Sequence, residues 1–394
     1  MAGSVMSAPI QASAYIIAAR RSALGRVGGL HRGRRVEDLA APVIAAALSD
    51  AQLKASDVDE IVIGNASQGG NPARLIALAA GLPLTAPGMS LDRQCASGLD
   101  AIIHAVRLVV IGDAEVVVAG GAESLSNAPW RIAKPKSVYH TPHFIGLEPT
   151  AFERHDVPQP IQAAETLAER HQISRAAQDA FTMKSHLRAQ TAREARRFVG
   201  EIVPMRGNRE EARDESATGA SLEDIEAAPS YCPPSGSATM ANTAQPHDGA
   251  AMVVVVSEAV WRRLGKPPAL KLLGSAAEGV APELEAEAPI AAMRKLDARL
   301  NGYDRSRIRA VELGESSSAQ AIAMMSALGI DDGVMNAEGG AVVRGHPLGA
   351  AGAVLVVRLF SRLVRRSPDV REGYGAAVLG AVGGLGLAAM FEAV

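Results

Sequence analysis

Short runs rich in β-branched residues alternate with stretches of helical period through the first and last thirds of the chain. That alternation predicts an α/β fold with largely parallel strands. One junction is especially clear. Residues 88–91 (GMSL) read as a strand, and beyond them Leu99, Ile102, Ile103, Val106, Val109 and Val110 recur at helical spacing. The two thirds also echo one another. Residues 58–64 (VDEIVIG) match 308–314 (IRAVELG), and residues 114–121 (AEVVVAGG) match 376–384 (AAVLGAVGG). Between them, the strand, turn and helix around Cys95 match residues 334–362 around Gly345-His346-Pro347-Leu348-Gly349. Three matched elements in one order predict a duplicated half, with equivalent strand-to-helix turns facing each other across a pseudo-two-fold axis.

The middle third has another texture. Prolines are frequent over residues 129–160, and Trp130, Tyr139, Phe144 and Phe152 fall close together in a chain with 3% aromatics. Helices are expected from about 161 to 197, with Ser174 as an N-cap. An acidic, apolar-poor stretch at 209–226 reads as a solvated loop. Long excursions in compact domains are usually functional or disordered, so the insert is read as a lid over the active face. The expected division is a first half of residues 1–122 plus 240–265, a lid of 123–239, and a second half of 266–394.

Composition narrows the classes. At 394 residues the chain exceeds one ordinary domain, and 48% hydrophobic residues supply large cores. The net charge is -2 with no long basic run, so neither nucleic acid nor an anionic membrane surface is an expected partner. Arg32, Arg34 and Arg35 form too short a cluster and read as a solvated face. Two cysteines exclude a disulfide scaffold and fit a reducing compartment. With no visible signal peptide and no uncharged apolar run approaching the ~20 residues that span a bilayer, a cytoplasmic protein is expected.

Two side chains carry candidate chemistry. Cys95 sits in DRQCASGL (92–99), where a thiol on the first helical turn would face unpartnered N–H groups and the positive end of the helix dipole. Such surroundings favour the thiolate. A free cysteine is equally often a small buried core residue. Among nine histidines, His346 is the one held by backbone design: Gly345 and Gly349 permit an unusual turn and Pro347 fixes φ. A lone histidine is more often structural. The repeat, however, puts His346 on the turn equivalent to that of Cys95. There an imidazole can take the thiol proton while sulfur attacks an acyl carbonyl. The run at 380–386 (GAVGGLG) has G-x-x-G-x-x-G spacing and only eight residues after it, so no dinucleotide site is expected.

Five colinear segments, RRSALGRVGGL (20–30), DRQCASGL (92–99), AGGAESLSNAP (119–129), NTAQPHDGAA (242–251) and GHPLGAAG (345–352), together resemble the thiolases. The resemblance spans nearly the whole chain. It implies a five-layered fold of two similar βαβαβ-type halves with an inserted loop domain, assembled as a homodimer or homotetramer. It also implies that Cys95 is the acyl-accepting nucleophile and His346 its activator. No dissociable cofactor and no metal are implied, a coenzyme A thioester being the substrate. Several positions depart from the family pattern. Gly380 stands where thiolases carry a second cysteine that moves the α-proton, and Val382 where a glycine N–H helps hold the thioester oxygen. Gly314 stands where an asparagine holds a water for the enolate. Ser316 occupies the place of the base cysteine in sterol-carrier-type thiolases, and a hydroxyl is a far weaker acid than a thiol. Among the coenzyme A contacts, Ala244 replaces a serine, Gln159-Pro160 a His-Met pair, and the loop arginine falls near Thr218. Tyr231 stands where a phenylalanine lines the pantetheine tunnel, and Cys232 beside it is a poor substitute base. The resemblance therefore implies an acyltransferase working through acyl-Cys95, with the Claisen or thiolysis step impaired or altered. Two other readings stay open, a non-catalytic thiolase-like subunit and a decarboxylating condensing enzyme.

Overall fold

Among the described residues, the β-branched runs form ten strands: β1 (Ala14–Arg21), β2 (Gly25–Arg26), β3 (Glu60–Gly64), β4 (Gly88–Leu91), β5 (Val116–Glu123), β6 (His247–Ser257), β7 (Leu270–Gly279), β8 (Ile308–Gly314), β9 (Tyr374–Ala381) and β10 (Leu385–Ala393). This computed structural model describes residues 13–135, 137–146, 159–205, 212–217, 219–366 and 373–394. The strand order is β4-β3-β5-β6-β1-β7-β10-β9-β8, with β2 paired to β6. The order reads alike from either side of the β1–β7 contact, where Ile16 pairs with Leu270. β1, β6, β5 and β3 on one side correspond to β7, β10, β9 and β8 on the other. The duplicated half expected from the sequence is therefore present.

The expectation of largely parallel strands needs correction. β3 runs parallel to β4 and β5, and β8 to β9, but β6 and β10 are antiparallel to their neighbours. The reason is connection length. Only residues 382–384 join β9 to β10, and a parallel partner needs a crossover of a dozen residues or more.

Among the described residues, eleven helices accompany the strands: α1 (Val36–Asp50), α2 (Pro72–Ala79), α3 (Ser97–Ile111), α4 (Pro160–Arg170), α5 (Arg175–Glu194), α6 (Leu222–Glu226), α7 (Glu258–Arg263), α8 (Ala288–Arg299), α9 (Ser318–Leu328), α10 (Ala341–Arg344) and α11 (Leu348–Phe360). α1 and α2 bury their apolar faces on the outside of the first half, and α8 and α9 on the outside of the second. α3 and α11 share a third core with strands of both halves. Helix, sheet, paired helices, sheet and helix make five layers. α11 is buried from Gly349 to Phe360, as a helix apolar on every side must be. Residues 94–111, mostly α3, are long and apolar enough by length and composition to cross a bilayer; here they occupy the central layer.

Glycine lets the two central helices meet backbone to backbone. A Cβ on Gly98 would lie 2.7 Å from the Gly349 carbonyl oxygen and 2.9 Å from the Ala353 nitrogen. Gly98→Ala is therefore expected to cost about 1–3 kcal/mol through overpacking. Urea unfolding should show a lower midpoint at unchanged slope.

In the insert, α4 starts at Pro160, which supplies the fixed φ favoured there, and Ser174 caps α5 by accepting from the Ala177 N–H at 3.2 Å. Ala163, Leu167, Ala168 and Phe181 join the core of the second half. Trp130 and Phe144 meet edge to face at 5.6 Å on an exposed excursion; Phe152 lies outside the described residues. The acidic stretch is not simply a solvated loop. Asp214 is buried and pairs with the fully buried Arg21 of β1 at 2.6 Å, and Arg21 also holds Glu201 at 2.7 Å. Glu201 in turn pairs with Arg358 of α11, which ties the insert to both halves. An apolar-poor run gives no hint of this, because the arginine that draws Asp214 inward lies nearly two hundred positions away.

Candidate active site

β4 ends at Leu91 and α3 begins at Ser97, so Cys95 sits in the connecting turn. Its shape is set locally. Asp92 Oδ1 accepts from the Gln94 N–H at 2.8 Å, and Ser97 Oγ accepts from the Arg93 N–H at 2.7 Å while donating to the Gln94 carbonyl at 2.5 Å. Gln94 takes the left-handed conformation, φ 51°, that this reversal requires. The expectation that the helix start favours the thiolate is not met. Burial pushes the Cys95 thiol up to about 12, the negative charge of Glu123 adds to the rise, and Glu285 and Asp92 contribute further. Cys95 precedes the N-cap, Ala96, and desolvation outweighs the dipole.

His346 reaches the same place from the second half. Gly345 has φ 109°, and a Cβ there would lie 2.4 Å from the His247 ring, so only glycine fits. The His346 N–H donates to the Gln245 carbonyl and its own carbonyl accepts from the His247 N–H, each at 3.1 Å. The imidazole is half-buried, and its sealed Nδ1 has no partner among the described residues. Burial, with a smaller contribution from His247, holds it down to about 4. At neutral pH both thiol and imidazole are uncharged.

Glu123, at the end of β5, holds these turns together. Its carboxylate accepts from the N–H groups of Gly349 at 2.9 Å, Ala66 at 3.0 Å and Ser67 at 3.1 Å, and from Asn65 Nδ2 at 3.0 Å. The helix that follows His346 is thus anchored to the end of β3. On the other side, Glu315 accepts from Asn336 and from the Val342 N–H at the start of α10.

A cavity of about 370 Å³ opens between the two turns. Cys95, His346, Gly380, Gly314, Val382, Tyr231 and Ala244 all line it, as do Ser316, Gln159 and Pro160. The sequence-derived candidates are therefore brought together, and the insert supplies part of the wall. Thr218 lies outside the described residues, and Cys232, in the loop after Tyr231, is not among the lining residues. Val382 is accommodated because the left-handed positions of its turn fall on Gly383 and Gly384, at φ 91° and 81°. The turn joins antiparallel strands, unlike a dinucleotide loop.

Sequence reasoning missed two polar walls. Gln320 of α9 donates to the Ala286 carbonyl at 3.0 Å and accepts from the Ser316 N–H at 2.9 Å. Glu285 lies in a 3-10 turn, Pro282–Glu287, and its Oε2 accepts from the Gly383 N–H at 2.9 Å. Burial pushes its carboxyl up to about 7. Glutamates alternate at 283, 285 and 287, and the fold buries the middle one.

Residues 14–259 match the N-terminal domain of thiolase and residues 266–393 its C-terminal domain. A Bacillus subtilis (strain 168) protein, provisionally assigned as an acetyl-CoA C-acetyltransferase, is 37% identical over 96% of this chain and 99% of its own. The beta-ketoadipyl-CoA thiolase of Pseudomonas putida is 35% identical over 95% of this chain and 98% of its own. The crystal structure of the Bacillus anthracis acetyl-CoA acetyltransferase superposes with a TM-score of 0.88 at 31% identity, covering 98% of this chain and 99% of that one. Matched over nearly its whole length in sequence and in fold, the chain belongs to the thiolase family.

Proposed function

We propose that the protein is a thiolase-type acyltransferase that takes the acyl group of a coenzyme A thioester onto Cys95. One observation carries the reading: Cys95 and His346 stand on equivalent turns of the two halves and open into one cavity. The relatives named for acetyl-CoA and beta-ketoadipyl-CoA support an acyl-CoA substrate. With both groups neutral, the thiol proton passes to His346 as sulfur attacks the thioester carbonyl, and no stable ion pair forms beforehand. The coenzyme A sulfur leaves with the proton from His346, and Cys95 carries the acyl group. Backbone N–H groups around Val382 and the turn of Cys95 are the candidates to hold the carbonyl oxygen. Tyr231, Ala244 and Gln159 line the cavity for the pantetheine arm. Assembly as a homodimer or homotetramer, with no dissociable cofactor, belongs to the same reading.

The carbon–carbon step is altered. With Gly380, Gly314 and Ser316 at the walls, no second cysteine lines the cavity. A scaffolding role fits poorly with a sealed imidazole Nδ1 that has no partner among the described residues, since such a group costs stability and contributes only if used. A decarboxylating enzyme would need a second histidine or an asparagine at the cavity. His247 lies behind His346, with its ring bonded to Ser216 Oγ at 2.6 Å and the Gln245 carbonyl at 2.8 Å, and does not line the cavity. Mixing the protein with acetyl-CoA is expected to release free coenzyme A thiol in a burst of one equivalent per Cys95. A burst with malonyl-CoA and none with acetyl-CoA would favour decarboxylation instead.

A further inference from the structure

We propose that Glu285 is the acid–base group of the carbon–carbon step, performing from the opposite wall of the cavity the proton transfer for which position 380 has no side chain. This rests on the acyl-Cys95 reading above. The geometry that supports it is local. Glu285 lines the cavity that holds Cys95, His346 and Gly380. Gly380 faces the segment that carries Glu285: a Cβ there would lie 3.3 Å from Pro289 and 3.7 Å from Gln320 Nε2, and Gln320 is bonded to the carbonyl of Ala286. Oε2 is aimed by the Gly383 N–H, while Oε1 has no partner among the described residues and is not sealed from the cavity. The Cys95 thiol feels the charge of this carboxylate, and both line the one cavity.

The surroundings leave the carboxyl able to change state near neutrality. Burial pushes it up to about 7, against the pull of the Gly383 N–H. No cation pairs with it among the described residues. On α4, Glu165 bonds to Ser237 and Ala238, and Arg170 pairs with Glu287. On α8, Arg294, Lys295, Asp297 and Arg299 bond to Ala327, Glu278, Tyr303 and Ser275. The ionisable groups of β9 and β10, Tyr374 and Glu392, are engaged by Arg307. α9 carries no ionisable side chain. His346, on the far wall, is neutral.

The step balances without any further reactant. In condensation, the Glu285 carboxylate takes a proton from the α-carbon of an incoming acyl-CoA. The resulting enolate carbon attacks the carbonyl of acyl-Cys95, a carbon–carbon bond forms, the C–S bond to Cys95 breaks, and the proton taken by Glu285 passes to the Cys95 thiolate, which restores both groups. In thiolysis, Cys95 attacks the β-carbonyl, the carbon–carbon bond breaks, and protonated Glu285 returns the proton to the departing α-carbon.

Direction therefore fixes the pH dependence. Condensation of acetyl-CoA is expected to rise as pH passes upward through about 7, and cleavage of acetoacetyl-CoA to fall over the same range. Glu285→Gln should lower both by ~10²-fold or more and remove both inflections, a far larger loss than any in acylation of Cys95 by acetyl-CoA, read as released thiol. Glu285→Asp should retain an inflection, with a smaller loss. The wild-type profiles are read independently of any variant, and melting curves show that the compared forms are folded. Carbon–carbon chemistry retained in Glu285→Gln overturns the proposal, as do wild-type profiles without opposite inflections. So does a wild type that acylates Cys95 yet neither condenses nor cleaves; that result leaves the acylation reading standing. Failure to acylate Cys95 at all overturns both.

Discussion

Cys95→Ala is expected to abolish acyl transfer, lowering turnover of acetyl-CoA by ~10⁴-fold or more, the usual effect of deleting a nucleophile. Cys95 is the only cysteine among the described residues that lines the cavity; Cys232 does not. The loss should be chemical and not structural. The turn is shaped by Asp92 and Ser97, whose bonds do not involve the sulfur, and the thiol borders a cavity that is already open. Melting temperature should therefore change little while thiol release disappears. Turnover within tenfold of wild type would show that the reaction does not pass through Cys95.

His346→Ala is expected to slow acylation by ~10²–10⁴-fold, the range for losing a general base. Because burial holds the imidazole down to about 4, it is available as a base across the neutral range. Wild-type acylation should be nearly flat from about pH 6 to 9 and fall as pH approaches 4. The same burial leaves a mark on stability. Below its ordinary value of 6.5 the unfolded chain binds a proton that the folded chain refuses until about 4, so wild-type stability should drop as pH falls through that window. His346→Ala should lose less over the same interval. An unchanged acylation rate would return His346 to a structural role.

The duplication and the two turns were legible because each rests on local chemistry. Gly345 and Pro347 announce an unusual backbone, and the match between residues 58–64 and 308–314 places Cys95 and His346 on equivalent connections. The strand directions were less so. That β10 returns antiparallel depends on a turn of three residues whose left-handed glycines look, in sequence, like a phosphate loop. Protonation states were misjudged because helix position can be read from the pattern while desolvation cannot: Cys95 lies beside a helix start and is nonetheless governed by burial. Glu285 was invisible for the complementary reason. It is one of three alternating glutamates, and only the packing of its turn against α4 and the β9–β10 connection sends it into the cavity.

The most direct test of the central claim is the intact mass of the protein after brief exposure to acetyl-CoA. One acetyl group per chain is expected, located to the peptide carrying Cys95, removable by hydroxylamine and absent from Cys95→Ala. An unmodified wild type, or an adduct that persists in Cys95→Ala, would contradict the account.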